Sequence, residues 1–169
     1  MAYRTRLDAR NQLYFLTGVT YQRRKWFATP DHARLLITIL QNYQEYYRFH
    51  VHAYVVMPDH YHMVLETGPE KTLSQILHAF HSFTATEINR AGGGMVKERI
   101  WQPRCWDEII PDEEMFWQKV AYTLANPWRA GLVAEPLEEY PYSNLRAWVD
   151  AEGEAFVLDL FAKYRRWLE

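Results

Sequence analysis

Two His-x-His triplets, at positions 50–52 and 60–62, lie in the stretch RFHVHAYVVMPDHYHMVLE between Arg48 and Glu66. Residues i and i+2 of a β-strand point to the same face of the sheet, about 7 Å apart along the strand. Two imidazoles in this spacing can bind one metal ion and leave it open to a substrate. Solvated surface histidines show the same spacing, so the neighbouring residues must decide whether either pair is a metal site.

The turn between the triplets favours the second pair. The dipeptide Pro58-Asp59 predicts a two-residue turn that joins two strands, because proline and aspartate are common turn residues. In such a hairpin Met57 lies opposite His60, and Val55 lies opposite His62. The two histidines of the second triplet then share one face of a regular hairpin, beside the turn.

The first pair has a simpler explanation. In the same register His52 falls on the opposite face, at the far end of the hairpin. His50 is expected at the end of the preceding helix, where a histidine interacts favourably with the helix dipole. We therefore expect His50 and His52 to be structural or surface residues, and we expect the metal ligands to be His60 and His62.

Two ligands hold a metal ion weakly, and a further candidate lies in the motif YTLANP. Tyr122 and Asn126 are four residues apart and therefore lie on one face of a predicted helix. Asn126 offers an amide oxygen suited to a hard divalent ion, and Tyr122 offers a phenolic nucleophile. The alternative is that Tyr122 is a packing residue of an amphipathic helix and that Asn126 is its C-terminal cap before a proline.

The elements that must position these residues follow from the hydrophobic pattern. The predicted order is a strand at 13–21, a helix from 30 to about 50, strands at 51–57 and 60–66, a helix at about 72–90, and a strand near the end of 99–110. Strand-helix-strand-strand-helix-strand is the ferredoxin-like α+β pattern with an antiparallel sheet. A third helix follows, capped by Asp112 and ended by Pro127, and then a short amphipathic helix at about 154–168.

The composition indicates one globular domain. A chain of 169 residues with 49% apolar content can build a single core. We expect one domain over 1–169, with a core at about 13–127 and a C-terminal extension at about 128–169. The single cysteine, Cys105, suits a reducing cytoplasm. No apolar run is long enough to span a membrane and the charged N-terminus does not resemble a signal peptide, so a cytoplasmic protein without a membrane partner is expected.

The charge distribution favours a polyanionic partner more than the net charge does. The net charge is −2, but the segment 1–50 carries +5, whereas 51–110 carries −2 and 111–169 carries −5. An asymmetric chain can present a basic face although it is acidic as a whole. Aromatic residues make up 16% of the chain and offer stacking surfaces for unpaired bases, although most such rings belong to cores.

Five motifs occur in the order VVMPDHYHMVLE, LSQILHAFHSFTATEINR, IWQPRCWDEII, AYTLANPWRAGLV and EYPYSNL. Together they resemble the REP-associated tyrosine transposases, which are single-strand DNA transposases of the HUH class (His, hydrophobic, His). The resemblance covers most of the chain, from Leu13 to Leu145. It implies that His60 and His62 are metal ligands and that Asn126 is the third, polar ligand. It also implies that Tyr122 is the nucleophile that attacks a DNA phosphate.

The implied reaction is metal-dependent nicking and strand transfer on single-stranded DNA at palindromic, REP-like hairpins. Attack by the tyrosine leaves a 5′-phosphotyrosine and a 3′-hydroxyl, and a second 3′-hydroxyl can reverse the step without ATP. Mg²⁺ or Mn²⁺ would polarise a phosphate oxygen and stabilise the charge of the transition state. Because an unperturbed tyrosine ionises near pH 10, a tyrosine nucleophile requires the field of the metal or a base.

The implied DNA contacts are basic and aromatic side chains, because lysine and arginine neutralise phosphates and aromatic rings stack on unpaired bases. The candidate phosphate contacts are Arg4, Arg6, Arg23, Arg24, Lys25, Arg104 and Arg129. The candidate stacking residues are Trp26 and Trp101, and for Trp101 core packing is an equal alternative. The expected partner is single-stranded or hairpin DNA. The protein is expected to be a monomer or a homodimer, since the C-terminal extension offers a monomer a way to close its own site.

One position departs from the family pattern. Relatives commonly show an aromatic-Asp-Arg sequence where this chain has WDEII, so Glu108 occupies the basic position and argues against a phosphate contact there. Three other functions remain as alternatives: a hairpin-binding protein that no longer transposes, an HUH replication-type nickase, and a small-molecule metalloenzyme. All four expected active-site residues are present, the flanking motifs do not resemble the nickases, and no acidic or cysteine ligand cluster supports the metalloenzyme.

Overall fold

The computed structural model describes residues 10–94 and 96–168. Its strands are β1 (Leu13–Val19), β2 (His50–Met57), β3 (His60–Glu66) and β4 (Trp106–Ile109). Its helices are α1 (Pro30–Tyr47), α2 (Leu73–Ala91), α3 (Glu113–Arg129), α4 (Leu145–Glu152), α5 (Glu154–Lys163) and α6 (Arg165–Leu168). Two DNA-contact candidates, Arg4 and Arg6, lie outside the described residues. Within the described residues, every helix is too short or too polar to cross a membrane.

The four strands form one antiparallel sheet in the order β2-β3-β1-β4. The chain reaches this sheet in the order β1-α1-β2-β3-α2-β4, so the ferredoxin-like α+β architecture predicted from the sequence is confirmed. The alternation of side chains along β1 divides the protein into two layers. Tyr14 and Leu16 face the core formed with α1 and α2, and Phe15 faces the core formed with α3, α5 and α6.

The β2-β3 hairpin has the register that its two-residue turn predicts. Met57 pairs with His60, and Val55 pairs with His62. Farther from the turn the register shifts between Val51 and Ala53. This β-bulge adds one residue to β2 and changes the face to which the residues beyond it point.

The structure differs from two expectations about the first His pair. His50 is the first residue of β2 and not part of the preceding helix. His52 does not point away from the face that carries the second pair: its ring packs edge-on against Phe116 of α3 with centroids 5.1 Å apart, and its Nε2 lies 3.0 Å from Glu66 Oε2. The prediction that His52 lies at the far end of the hairpin is correct.

The helix ends agree with the sequence in part. Asp112 caps α3 as predicted, because its carboxylate accepts the Met115 N–H at 2.8 Å. Pro127, however, does not end α3, which continues to Arg129. Proline removes one N–H but its fixed φ is helical, and the Asn126 carbonyl still accepts the Ala130 N–H at 2.9 Å. The predicted single C-terminal helix at about 154–168 is two short helices, α5 and α6, and α4 lies before it in the segment predicted as a connector.

The segment 140–148, which contains the motif YPYSN, covers the outer edge of β2. The Val56 N–H donates to the Tyr142 carbonyl at 2.8 Å. The Asn144 side chain accepts the Tyr54 N–H at 2.9 Å and donates to the His52 carbonyl at 3.0 Å. These bonds satisfy backbone groups that an edge strand otherwise leaves open to pairing with another chain.

Candidate active site

Helix α3 lies over the sheet face that carries the second His pair. The ring centroids of Tyr122 and His62 are 5.2 Å apart, and those of His60 and His62 are 4.8 Å apart. Phe15 of β1 contacts both elements, since its ring stacks on His62 at 5.5 Å and meets the edge of Tyr122 at 5.8 Å. The chain therefore brings its own tyrosine to its own His pair, with Phe15 holding the two rings in place.

The orientation of His60 is fixed by the residue that precedes it. Its Nδ1 lies 2.6 Å from Asp59 Oδ1. A carboxylate only accepts, so Nδ1 carries the proton and Nε2 presents its lone pair. The other carboxylate oxygen accepts a hydrogen bond from Arg23 at 3.2 Å. A histidine whose outer nitrogen donates to a carboxylate is the usual arrangement of a metal-binding histidine.

His62 is buried, with 6% of its surface exposed. Its Nδ1 lies 2.8 Å from Thr17 Oγ1 of the neighbouring strand, which leaves Nε2 as the nitrogen for a metal ion. Burial, followed by the nearby His60 ring and the Arg129 guanidinium, lowers the pKa of His62 to about 3. The ring is therefore neutral in the physiological pH range, as a metal ligand must be.

Asn126 is the third member of the expected donor set. It is 7% exposed and lies one helical turn beyond Tyr122 on the same face of α3. The direction of α3 is fixed by two ring contacts, Phe116 on His52 and Tyr122 on His62. Because His60 lies nearer the β2-β3 turn than His62 does, the next turn of α3, which carries Asn126, extends toward the His60 end of this sheet face.

The donor set suits a weakly held divalent ion. Within the described residues, no group of three or more His, Cys, Asp or Glu side chains is placed to hold a metal ion. The expected donor set is instead two imidazoles and one amide, and both imidazoles have their Nδ1 held by a neighbouring side chain. Such a set would leave the rest of a divalent ion's coordination shell to water or substrate oxygen atoms.

Two cations border the site. The Arg129 guanidinium lies 5.0 Å from the centroid of the Tyr122 ring, and its Nε is buried without a hydrogen-bond partner in the described residues. The Lys119 ammonium lies 4.6 Å from the centroid of Phe15 and 2.8 Å from Glu108 Oε2. The acidic residue that departs from the family pattern is thus paired with a lysine of α3, which brings positive charge to this part of the site from another element.

The basic loop after β1 approaches the site through one residue. Arg23 bonds to Asp59, whereas Arg24 pairs with Glu98 at 2.6 Å. Lys25 is exposed, and Arg24 lies 5.1 Å from the centroid of the half-buried Trp26 ring. Of the phosphate-contact candidates on this loop, Arg23 is therefore connected to the His pair. Arg104 is exposed in the loop before β4.

The position of Trp101 corrects its assignment as a stacking residue for DNA. It is 7% exposed, and its ring stacks on His81 of α2 at 4.3 Å with planes inclined by 14°. Its indole N–H donates to Thr84 at 3.0 Å. The ring belongs to the core between the sheet and α2, and an unpaired base has no access to its faces.

Four residues that contact the site were absent from the sequence-based set: Phe15, Thr17, Asp59 and Lys119. Asp59 had a visible signal, since it directly precedes His60 in the turn. Phe15 and Thr17 lack a local signal, because their contacts with His62 depend on the pairing of β1 with β3. Lys119 lies three residues before Tyr122 on α3, so helical spacing places it near the same face.

Comparisons with known proteins identify transposases as the relatives of this chain. The family described as "Transposase IS200 like" matches residues 9–109, more than half of the chain; this region contains the second His pair and ends before α3. The REP-associated tyrosine transposase of Escherichia coli K12 is 27% identical over 133 residues, which is 78% of this chain and 74% of that protein. A Haemophilus influenzae protein that carries this name as a provisional description is 27% identical over 148 residues, 83% of each chain.

Two solved structures share the fold. The REP-associated tyrosine transposase bound to a REP hairpin matches with a TM-score of 0.74 at 23% identity, over 89% of this chain and 87% of that one. A crystal structure of a transposase-like protein from Deinococcus radiodurans matches with a TM-score of 0.52 at 19% identity, over 66% of this chain and 88% of that one. At these identities the two likenesses show the fold and nothing further.

Proposed function

Because the chain belongs to the IS200-like transposase family, whose members are DNA-processing enzymes, we propose that it nicks and rejoins single-stranded DNA through a 5′-phosphotyrosine on Tyr122. The observation that carries the proposal is the contact between the Tyr122 ring and the His62 ring, 5.2 Å between centroids, on the face that also holds His60. A nucleophile and a pair of metal-type ligands on separate elements meet within one chain.

The residues present fit a divalent metal ion. His60 and His62 would hold it through Nε2, and Asn126 would add its amide oxygen. Asp59 and Thr17 fix the tautomers of the two rings. When bound, Mg²⁺ or Mn²⁺ supplies positive charge that polarises a phosphate oxygen.

The chemical step belongs to Tyr122. Its phenolate oxygen attacks the phosphorus, the Oη–P bond forms, and the P–O3′ bond breaks in line. The electron pair of that bond goes to the 3′ oxygen, which takes up a proton and becomes a 3′-hydroxyl. The fragment downstream of the break stays bound to the tyrosine through its 5′-phosphate, as a phosphodiester, so a second 3′-hydroxyl can attack that phosphorus, release the tyrosine and restore the strand without ATP.

Neighbouring side chains orient the strand. Arg129 lies beside the Tyr122 ring and has a buried Nε without a partner in the described residues, which suits it to donate to the phosphate that is attacked. Arg23 connects the basic loop to the His pair through Asp59. A strand that follows this loop would reach the site with its backbone on positive side chains.

The proposed substrate is a hairpin with single-stranded flanks, such as a REP-like palindrome. Relatives that this chain resembles are named for their association with REP sequences, and a protein of the same fold has been solved with a REP hairpin. The motif YPYSN, by which this chain resembles the REP-associated relatives, here covers the edge of β2.

The proposal is tested by incubating the protein with a 5′- or 3′-labelled hairpin oligonucleotide and Mn²⁺. We expect cleavage together with a denaturation-resistant protein–DNA adduct, and we expect chelation to abolish both. Tight hairpin binding without an adduct under any divalent ion would instead identify a hairpin-binding protein that no longer transposes. Cleavage without an adduct would exclude the phosphotyrosine route.

A further inference from the structure

Trp106 of β4 is a large aromatic residue with 67% of its surface exposed. It lies on a strand of four residues at the edge of the sheet. An exposed ring on an edge strand is a liability for a soluble protein, because edges invite pairing and exposed apolar surface invites association. A function of the ring would explain its exposure, and its position in the sheet indicates which function.

Strand register places Trp106 on the face that carries the site. Trp106 pairs with Thr17 of β1, and Thr17 pairs with His62 of β3. Paired residues of antiparallel strands point to the same face, and Thr17 reaches His62 with its hydroxyl at 2.8 Å. Glu108, two residues after Trp106, bonds to Lys119 of α3 and confirms which face this is.

The separation suits a short stretch of nucleic acid. Two strand spacings, about 10 Å, lie between the backbones of Trp106 and His62. This is about three stacked nucleotides, and fewer where the strand is extended. Between them Thr17 and the neighbouring Val19 are only half-buried, so a strand of DNA has room to pass from the His pair to the indole.

The charges around Trp106 favour DNA over another copy of this chain. Arg104 lies exposed in the loop two residues before it, and on the same face the charge of Glu108 is neutralised by its ion pair with Lys119 at 2.8 Å. An exposed ring next to an arginine is an arrangement that suits a base and its phosphate. A strand of four residues offers little backbone for pairing with a second sheet.

From this placement we infer that Trp106 stacks on an unpaired base close to the phosphate that is cleaved, and so sets the register of the single strand in the site. This inference rests on the proposed function, because it takes the His pair as the position of that phosphate. It replaces the core residue Trp101 with an exposed residue as the stacking platform.

The test uses a hairpin oligonucleotide with single-stranded flanks, in which 5-iododeoxyuridine occupies each flank position in turn. The Tyr122→Phe background prevents cleavage, and irradiation links an iodinated base to an aromatic ring that it touches. We expect the crosslink at one or two adjacent positions to map to the peptide that contains Trp106. We expect Trp106→Ala to weaken binding between about 5-fold and about 150-fold, and Trp106→Phe to retain most of the affinity.

Trp167 is the matched control, because it is 59% exposed on α6. That helix directly follows Lys163, which bonds to Glu114 in the first turn of α3, at the end away from Asn126. Trp167→Ala should leave affinity unchanged. Equal effects of the two alanine variants, or crosslinks that map elsewhere, would overturn the inference. So would a change of oligomeric state in Trp106→Ala without a change in DNA affinity, because the indole would then serve self-association.

Failure of the two proposals can be told apart. If the protein with Tyr122 intact forms no adduct but Trp106→Ala still weakens binding and the crosslink still maps to Trp106, the nicking activity is wrong and the stacking role stands. If adduct formation is normal while the crosslink and the affinity do not depend on Trp106, the stacking role is wrong and the nicking activity stands. Absence of any DNA binding would overturn both.

Discussion

The Asp59 carboxylate lies 2.6 Å from Nδ1 of His60. It also accepts a hydrogen bond from Arg23, and these interactions together outweigh the effect of burial and lower the pKa of Asp59. The carboxylate is therefore ionised, and it fixes the tautomer and the orientation of the His60 ring whose Nε2 would face a metal ion. One turn residue thus links the basic loop to the candidate metal site.

Asp59→Asn should weaken the affinity for Mn²⁺ by about 10- to 100-fold, because the amide keeps the shape but not the charge that supports His60. The measurement is the Mn²⁺ concentration that gives half-maximal nicking, with direct calorimetric titration beside it. Asp31→Asn is the control, since Asp31 also pairs with an arginine but lies in the first turn of α1. An unchanged Mn²⁺ requirement in Asp59→Asn would show that the carboxylate serves only the turn.

The two His pairs should differ in their effect on nicking. His60→Ala or His62→Ala should abolish nicking while the fold remains, because each removes one of only two imidazole ligands. His50→Ala or His52→Ala should change nicking little, since that pair lies at the far end of the hairpin, where His52 bonds to Glu66. Nicking rates and circular dichroism of the four variants decide the point, and equal losses from both pairs would contradict the assignment.

Neutralising Arg23, Arg24 and Lys25 together should weaken DNA binding and flatten its dependence on salt. The slope of log K against log salt should fall by about 0.7 for each lost single-strand phosphate contact. A control that neutralises three ion-paired arginines on other surfaces, Arg34, Arg90 and Arg146, should leave the slope nearly unchanged. A slope that does not respond to the loop variant would place the DNA on another surface.

Asn144→Ala should destabilise the protein measurably. The Asn144 amide oxygen accepts the Tyr54 N–H of β2, and such a group costs about 1–3 kcal/mol when it is buried without a partner. The His52 carbonyl loses its bond from Asn144 but keeps the one from the Trp148 indole N–H at 2.9 Å. Urea denaturation gives the free energy of unfolding. Asn42→Ala on the exposed side of α1 is the control and should be neutral or slightly stabilising, since alanine favours helix. If both variants unfold alike, the C-terminal segment does not stabilise the edge of β2.

Size-exclusion chromatography of Asn144→Ala adds a second measurement. The expected monomer or homodimer depends on whether an edge of the sheet is open to a partner. If the segment 140–148 prevents edge pairing, loosening it should promote association at high concentration. A protein that is already dimeric and becomes monomeric on this change would show the opposite, that the segment itself forms the interface.

The hairpin that carries the second His pair could be predicted from sequence because its geometry is local. A two-residue turn fixes the register of both strands, and the observed pairs at Met57 and Val55 follow from that rule alone. The bulge at His52 could not be predicted in the same way. The bulge depends on the contacts of His52 with Phe116 of α3 and with Glu66 of β3, and these contacts join residues far apart in the chain.

The errors at Pro127 and Trp101 share a cause. Each assignment used the residue type without the neighbours that decide its role. Pro127 supplies a helical φ, and the last turn of α3 forms without an N–H at this position. Trp101 is an aromatic residue in a basic stretch. On α2, however, the His81 ring stacks on its face and the Thr84 hydroxyl accepts its indole N–H. Only the packing of α2 on the sheet decides this, and no local pattern encodes it.

The sequence indicated that Tyr122 and the second His pair would lie together, but it did not indicate the residues that support them. Tyr122 and His62 are separated by 60 positions and meet because α3 crosses the sheet. The motif order indicated which residues would meet. Phe15 and Thr17, which hold His62, come from a third element, and their contribution follows from the β1-β3 pairing.

Tyr122→Phe is the sharpest test of the chemistry. The chain contains 12 tyrosines, and Tyr122 lies with its ring against His62 on the face of α3 that also carries Asn126. Phenylalanine keeps the ring, so the contacts with Phe15, His62 and Arg129 remain and stability should barely change. Hairpin binding should survive for the same reason.

Covalent capture by Tyr122→Phe should vanish completely instead of slowing, because the phenolic oxygen is the atom that forms the bond to phosphorus. The measurement is the denaturation-resistant adduct with a labelled single-stranded palindrome and Mn²⁺, followed by mapping of the modified peptide. Tyr46→Phe is the control, since Tyr46 is 75% exposed on α1 and its loss should leave the adduct intact. An adduct on another tyrosine, or cleavage at the normal rate by Tyr122→Phe, would show that this tyrosine is not the nucleophile.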